Sequence, residues 1–237
     1  MVDWWVNKAR IDPDDLLIAH GGSRTDFLAV QHPQKVFIDD DRLRTRDHTR
    51  ERQSYRAIFT TAAGWMEQTK SAHTHIYFAE YDHLPLIQDL PQRLLASLTA
   101  EKADVLGLRV ACVEDSSQPH YLHHAQDPRF HAFWESVSVR SDPRTILTMF
   151  GTGSFWTRAA FCYTATAPEP FPIYLELFLP TTAHHAGFRV RPYPDAAAHQ
   201  FVHHLGNRRH EIDAAREAGA WTIHPLKSAW RRQSRLT

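Results

Sequence analysis

Glu80 and Asp82, separated by a single residue, close an apolar run within His75 to Leu86, HIYFAEYDHLPL. Carboxylates are hard oxygen donors, and two that converge can hold a divalent cation, which in turn can hold a diphosphate. The run Ile76-Tyr77-Phe78-Ala79, followed by a breaker at Pro85, predicts a buried strand in a parallel sheet covered on both faces. Residues i and i+2 of a strand point to the same side, so both acids are expected to project together where the strand ends. Open α/β sheets bind ligands at that end. The competing reading has one acid capping the next helix and the other solvated.

The elements that must position these acids can be read along the chain. Asp15–His20 reads as a first strand, closed by Gly21-Gly22, and Lys35–Asp39 as a second. The glycine pair is not a phosphate-binding P-loop, because no Lys-Ser/Thr follows it. A helix is expected from about Thr49, with Tyr55, Ile58, Phe59, Ala62 and Met66 on one apolar stripe. Leu94, Leu95 and Leu98 mark a short helix, and 104–110 a further strand. Strand, helix, strand, helix, strand over 15–110 predicts an α/β fold with a mostly parallel central sheet flanked by helices.

The second half is less regular. Residues 113–145 read as loop and short elements, and Met149–Trp156 as a glycine-punctuated segment before a helix at 157–161. Residues 187–191 alternate like a strand. Helices are expected near 195–205 and 211–218, ended by Gly206 and Gly219, followed by a basic tail, 229–237. Without a repeat or a low-complexity linker, the 237 residues read as a single domain.

Composition excludes several functions. The 27 basic and 27 acidic residues cancel, so no global attraction to nucleic acid or an anionic membrane is expected. Two cysteines, Cys112 and Cys162, make no disulfide framework and fit a reduced cytoplasm. The N-terminus lacks the apolar core of a signal peptide, and no segment approaches the ~20 apolar residues of a membrane span. The expected location is cytoplasmic. Histidine is frequent, at 17, but with no HExxH and no zinc-type spacing.

In their order, these elements resemble a nucleotide-sugar-dependent glycosyltransferase of the GT-A fold, a Rossmann-related single domain. The residues that carry the resemblance are Glu80-Tyr81-Asp82, Gly151-Thr152-Gly153-Ser154, Glu176, and His224 within Trp221–Lys227. They span almost the whole chain, although each motif is short and the first acid is Glu80 where the family has Asp. The resemblance implies a nucleotide-binding half over about 10–110 and an acceptor half over about 111–228. It implies Mn²⁺ or Mg²⁺ on Asp82, with Glu80 and a late histidine, His224, beside it. Gly21, Gly22 and Asp26 then lie near the base and ribose, with Arg44 and Gln53 as helpers and Lys227 as a cation for the diphosphate. Gly151, Thr152, Gly153 and Ser154 lie near the sugar, with tryptophans such as Trp156 as stacking platforms.

Each role has a plainer alternative. His224 precedes Pro225 and reads as an extended loop residue, and a buried histidine bonded to a carbonyl is the alternative. Glu176 stands alone in Ile173–Leu179, where a carboxylate needs a partner or a function. Facing a cleft, it suits general-base work on an acceptor hydroxyl; otherwise it pairs with Arg158 or Arg189. The Gly151–Ser154 segment otherwise reads as a turn with Ser154 as N-cap. The expected function is transfer of a sugar from a nucleotide sugar, a UDP-sugar foremost, to an acceptor hydroxyl. Rival readings are a nucleotidyltransferase or metal-dependent hydrolase, and a non-catalytic module that binds nucleotide sugars.

Overall fold

The computed structural model describes residues 2–45, 54–194, 200–202 and 211–226. A π-helical turn (Trp4–Lys8) and a 3₁₀ turn (Pro13–Asp15) lead into β1 (Ile18–His20), α1 (Arg24–Ala29) and β2 (Lys35–Phe37). After the 3₁₀ turn Asp41–Arg44 come α2 (Ser54–Gln68), β3 (His75–Phe78), β4 (Leu84–Pro85), α3 (Leu90–Ala100) and β5 (Val105–Cys112). The second half adds α4 (Pro119–Ala125), α5 (Pro128–Val137), β6 (Leu147–Thr157), α6 (Arg158–Thr166) and α7 (Leu175–His185). It closes with β7 (Val190–Pro192), β8 (Gln200–Val202), α8 (Glu211–Glu217) and β9 (Thr222–His224). The fold is α/β, and among the described residues no helix is long and apolar enough to cross a membrane.

The central sheet is mixed, where a mostly parallel one was expected. Its order is β3-β6-β5-β7, with β6 antiparallel to both β3 and β5 and β5 parallel to β7. The parallel pair β1–β2 forms a small separate sheet, and β4-β9-β8 a third. The difference lies in Met149–Trp156, read as a glycine-punctuated segment and not as a strand. Those residues are the interior of β6, the longest strand, which inserts between β3 and β5. Gly107 on β5 is required by this pairing: a Cβ there would lie 2.1 Å from Met149 Sδ.

Both faces of the central sheet are covered, as the unbroken apolar run in β3 implies. Alternate residues divide between two cores. Ile76, Phe78, Val105 and Trp156 face Phe59, Trp134, Phe161 and Leu177 from α2, α5, α6 and α7. Tyr77, Leu106 and Phe155 face Leu90, Leu94 and Leu98 of α3, with Trp5 and Trp221. A smaller core around Leu84, Ile212, Ala215, Ile223 and Leu226 joins β4, β9 and α8. Trp4 adds a hydrogen bond from Nε1 to the Pro85 carbonyl at 2.7 Å.

Helices α4 and α5 are the short elements of the stretch read as mostly loop and short elements. Each begins with a capping side chain followed by proline at the first helical position. Gln118 accepts from the Tyr121 N–H at 2.6 Å and Asp127 from the Arg129 N–H at 3.0 Å. Residues 200–202 form a strand, not part of a helix, while the rest of the expected 195–205 helix falls largely outside the described residues. The tail 229–237 lies outside them as well. Gly219 ends α8 with φ +76°, a left-handed conformation that glycine adopts without strain.

Candidate metal centre

Strand β3 stops at Phe78, and the two acids sit on the turn that follows. The His83 N–H donates to the Glu80 carbonyl at 3.0 Å, so Glu80–His83 is a tight turn. The turn, not strand alternation, brings the carboxylates together. Beyond it, β4 pairs antiparallel with β9, Leu84 opposite Ile223 and Pro85 opposite Thr222. The Leu226 N–H donates back to the Asp82 carbonyl at 3.0 Å, and the Leu86 N–H to the Trp221 carbonyl at 2.7 Å. This ladder places His224 over the two acids. It is the last residue of β9, not a loop residue, and its peptide bond to Pro225 is cis.

His224 Nε2 lies 3.1 Å from Glu80 Oε2 and 3.1 Å from Asp82 Oδ1. One ligand atom from each of the three residues falls within 4.8 Å of the others. Asp82 is 1% exposed, and the group that faces its carboxylate is His224. A buried carboxylate is costly unless a cation balances it. Burial pulls the His224 imidazole toward its neutral form, but Asp82 and Glu80 together outweigh burial and raise its pKa above the ordinary value. Two acids and one imidazole converging from opposite ends of the chain form a donor set suited to Mn²⁺ or Mg²⁺.

A polar layer behind the acids holds them in place. Thr152 Oγ1 accepts the Glu80 N–H at 2.8 Å and meets His83 Nδ1 at 3.1 Å. His83 Nε2 lies 3.1 Å from the Tyr77 hydroxyl, and its ring stacks on His224 at 5.3 Å. Burial, then the neighbouring His224, keep the His83 pKa well below the usual histidine value, so this imidazole is neutral. Phe150 packs edge-on against His224 at 5.6 Å. Arg109 holds its guanidinium 5.9 Å over the Phe150 ring. Arg109 has φ +56°, strained for a non-glycine residue, and lies where the β5–β6 register shifts.

The segment expected near a sugar is thus mostly internal. Thr152 supports Glu80 from within, and the buried Ser154 donates to the Gly151 carbonyl and accepts from Trp156 Nε1, both at 2.8 Å. Trp156 is fully buried against Phe59 and Phe161, which leaves no face for a sugar to stack on. Thr157, not Ser154, caps the helix that follows. Gly153 has φ +76° and gives its carbonyl to the Tyr193 hydroxyl at 2.9 Å. Gly151 instead makes room for a neighbour: a Cβ there would lie 2.6 Å from Leu175 Cδ1. The start of α7 therefore lies against β6 beside Thr152.

Glu176 lies in the first turn of α7, one residue after Leu175, which packs at Gly151. Its side chain is 27% exposed and lies 3.6 Å from His120 Nδ1, not beside Arg158 or Arg189. His120 stacks on Tyr174 at 4.2 Å, and the Tyr174 N–H donates to His124 Nε2 at 3.3 Å. A carboxylate, an imidazole and an aromatic ring thus share one partly open surface.

The expected nucleotide residues also cluster, with roles that differ from those implied. Leu43 packs into the space that a Cβ on Gly21 would occupy, and the Gly22 N–H donates to His20 Nδ1 at 3.2 Å. Arg44 spans the Gly21, Gly22 and Ile38 carbonyls and pairs with Asp39 and Asp41. Asp26 serves the start of α1, where it accepts from the Ser23 hydroxyl at 2.7 Å. Beside these loops, a cleft of about 400 Å³ opens at the end of β2, lined by Asp39, Asp40, Arg42, Arg56, Thr60 and Thr61. α2 forms part of its wall and lays Tyr55 and Phe59 on Phe78, just before the acidic turn. Gln53 and Lys227 lie outside the described residues.

No family model matches the chain, and no curated protein matches it significantly.

Proposed function

We propose that the protein is a divalent-metal-dependent glycosyltransferase that moves a sugar from a UDP-sugar or related donor to an acceptor hydroxyl. The observation that carries this reading is the convergence of Glu80, Asp82 and His224 at the end of β3, around the buried carboxylate of Asp82. Asp82 and Glu80 would hold Mn²⁺ or Mg²⁺ through oxygen, and His224 through Nε2. When bound, the cation supplies positive charge against the diphosphate that departs from the sugar.

The remaining roles belong to the chain's own groups. Thr152 and the neutral His83 fix the acidic turn from behind, so that the carboxylates need not reorganise on binding. The cleft at the end of β2, where Arg42 pairs with Asp40 and Arg56 with Glu169, would take the nucleotide. Arg109, brought toward the centre through Phe150, is a further cation for a diphosphate. Glu176 takes the proton from the acceptor hydroxyl, with His120 beside it to share the charge. The partly open Tyr174–His120 surface is where an acceptor ring would rest.

A panel of nucleotide sugars, read by thermal shift with and without Mn²⁺ and followed by assay of released nucleoside diphosphate, tests the reading. A ligand that binds only the folded state raises the melting temperature. A Mn²⁺-dependent shift with one donor, accompanied by release of its diphosphate, is the expected result. A shift without turnover would make the protein a binding module, and release of nucleoside monophosphate would make it a hydrolase.

A further inference from the structure

The metal centre meets solvent at one of its three ligands. The Asp82 and His224 side chains are 1% and 7% exposed, whereas that of Glu80 is 30% exposed. His83 and Thr152, both buried, close the space behind the acids. A ligand as large as a diphosphate therefore approaches the centre past Glu80. The next residue along the chain is Tyr81, and it is 65% exposed. A large aromatic ring thus stands in solvent between two acids that converge on one point, on the turn that the ligand must pass.

The backbone under this ring is fixed. Tyr81 follows the first residue of the turn that the His83 N–H closes on the Glu80 carbonyl. Both sides of the turn are anchored: Thr152 Oγ1 accepts the Glu80 N–H at 2.8 Å, and the Asp82 carbonyl accepts the Leu226 N–H at 3.0 Å. A tyrosine has few side-chain torsions to lose, so on a rigid turn it gives contact area at little entropic cost. A nucleotide sugar extends from its diphosphate in two directions, to the nucleoside and to the sugar. The cleft at the end of β2 would take the nucleotide, which leaves the sugar for the acidic turn. Trp156, the ring expected there, is buried. The C–H face of a pyranose is apolar and packs on an aromatic face such as that of Tyr81.

We propose that Tyr81 is the platform on which the donor's sugar ring packs, a role that rests on the glycosyltransferase reading. Titration calorimetry in the presence of Mn²⁺ tests it. The probes are UDP, UDP-glucose, UDP-galactose and UDP-N-acetylglucosamine, titrated into the wild type, Tyr81→Ala and Tyr81→Phe. Tyr81→Ala should weaken the tightest-bound UDP-sugar about tenfold while UDP keeps its wild-type affinity. Tyr81→Phe retains the ring and should bind as the wild type does. Wild-type affinity for every UDP-sugar in Tyr81→Ala, with Mn²⁺–UDP binding intact, would overturn this role alone. Equal weakening of UDP and UDP-sugar would overturn it too, and would place the ring at the nucleoside or in the support of the turn. A wild type that binds none of the probes with Mn²⁺ would overturn the glycosyltransferase reading, and this role with it.

Discussion

Asp82 Oδ1 and His224 Nε2 lie 3.1 Å apart because the chain pairs with itself immediately beside each of them. β4 starts two residues after Asp82 and lies antiparallel to β9, whose last residue is His224. Any change that loosens this ladder therefore separates the imidazole from the acids. Thr152 guards the same geometry from the other side.

Thr152→Val keeps the side-chain shape and removes the hydroxyl that receives the Glu80 N–H. A buried donor left unsatisfied costs about 1–3 kcal/mol, which urea denaturation would register. Loss of such a supporting partner also costs on the order of 10–100-fold in metal affinity. A variant with unchanged stability and unchanged Mn²⁺ affinity would remove Thr152 from the site.

Glu176→Gln should bind donor as the wild type does and lose roughly 10²–10⁴ in turnover, because a general base acts only during transfer. The pH–rate limb that belongs to the base should vanish with it. Collapse of donor binding together with activity, or an unfolded protein, would make Glu176 structural.

Gly151→Ala probes how α7 is placed. The new methyl would press on Leu175, one residue before Glu176, and overpacking of this kind costs about 1–3 kcal/mol. Turnover should fall while Mn²⁺ affinity is kept, since the acids are held by Thr152 and not by α7. Equal loss of metal binding and turnover would contradict that separation.

His185 supplies a pH test. Its folded pKa of about 4 lies below the ordinary histidine value of 6.5, so the unfolded chain takes up the extra proton between these values. Its contribution to stability is complete above the unfolded value and is lost as pH falls toward about 4. The buried His83 acts in the same direction. An NMR pH titration should show the His185 ring neutral at pH 6; titration near 6.5 would contradict its burial.

The sequence discloses the α/β character, the covered strand before Glu80 and the acids themselves, because apolar periodicity and paired charges are local signals. Two things needed the fold. Met149–Trp156 reads only as a glycine-punctuated segment, yet it is the interior of β6, where Gly151 makes room for Leu175 of α7. Arg109 meets Phe150 across the β5–β6 pair, a contact that no spacing reveals. The cap-and-proline starts Gln118-Pro119 and Asp127-Pro128 were legible signals for α4 and α5, outweighed by the density of polar and aromatic residues around them. Glu176 stood out as a lone carboxylate, but its partner, His120, came from a helix that the sequence pattern had not placed.

The central claim is that Asp82, with Glu80 and His224, holds a divalent cation together with a nucleoside diphosphate. Titration calorimetry of UDP into the protein, with and without Mn²⁺, tests it most directly when wild type is compared with Asp82→Asn and His224→Ala. The account predicts Mn²⁺-dependent binding in the wild type, its loss in Asp82→Asn with the fold retained, and marked weakening in His224→Ala. Unchanged Mn²⁺–UDP affinity in Asp82→Asn, or binding indifferent to Mn²⁺ in the wild type, would contradict it.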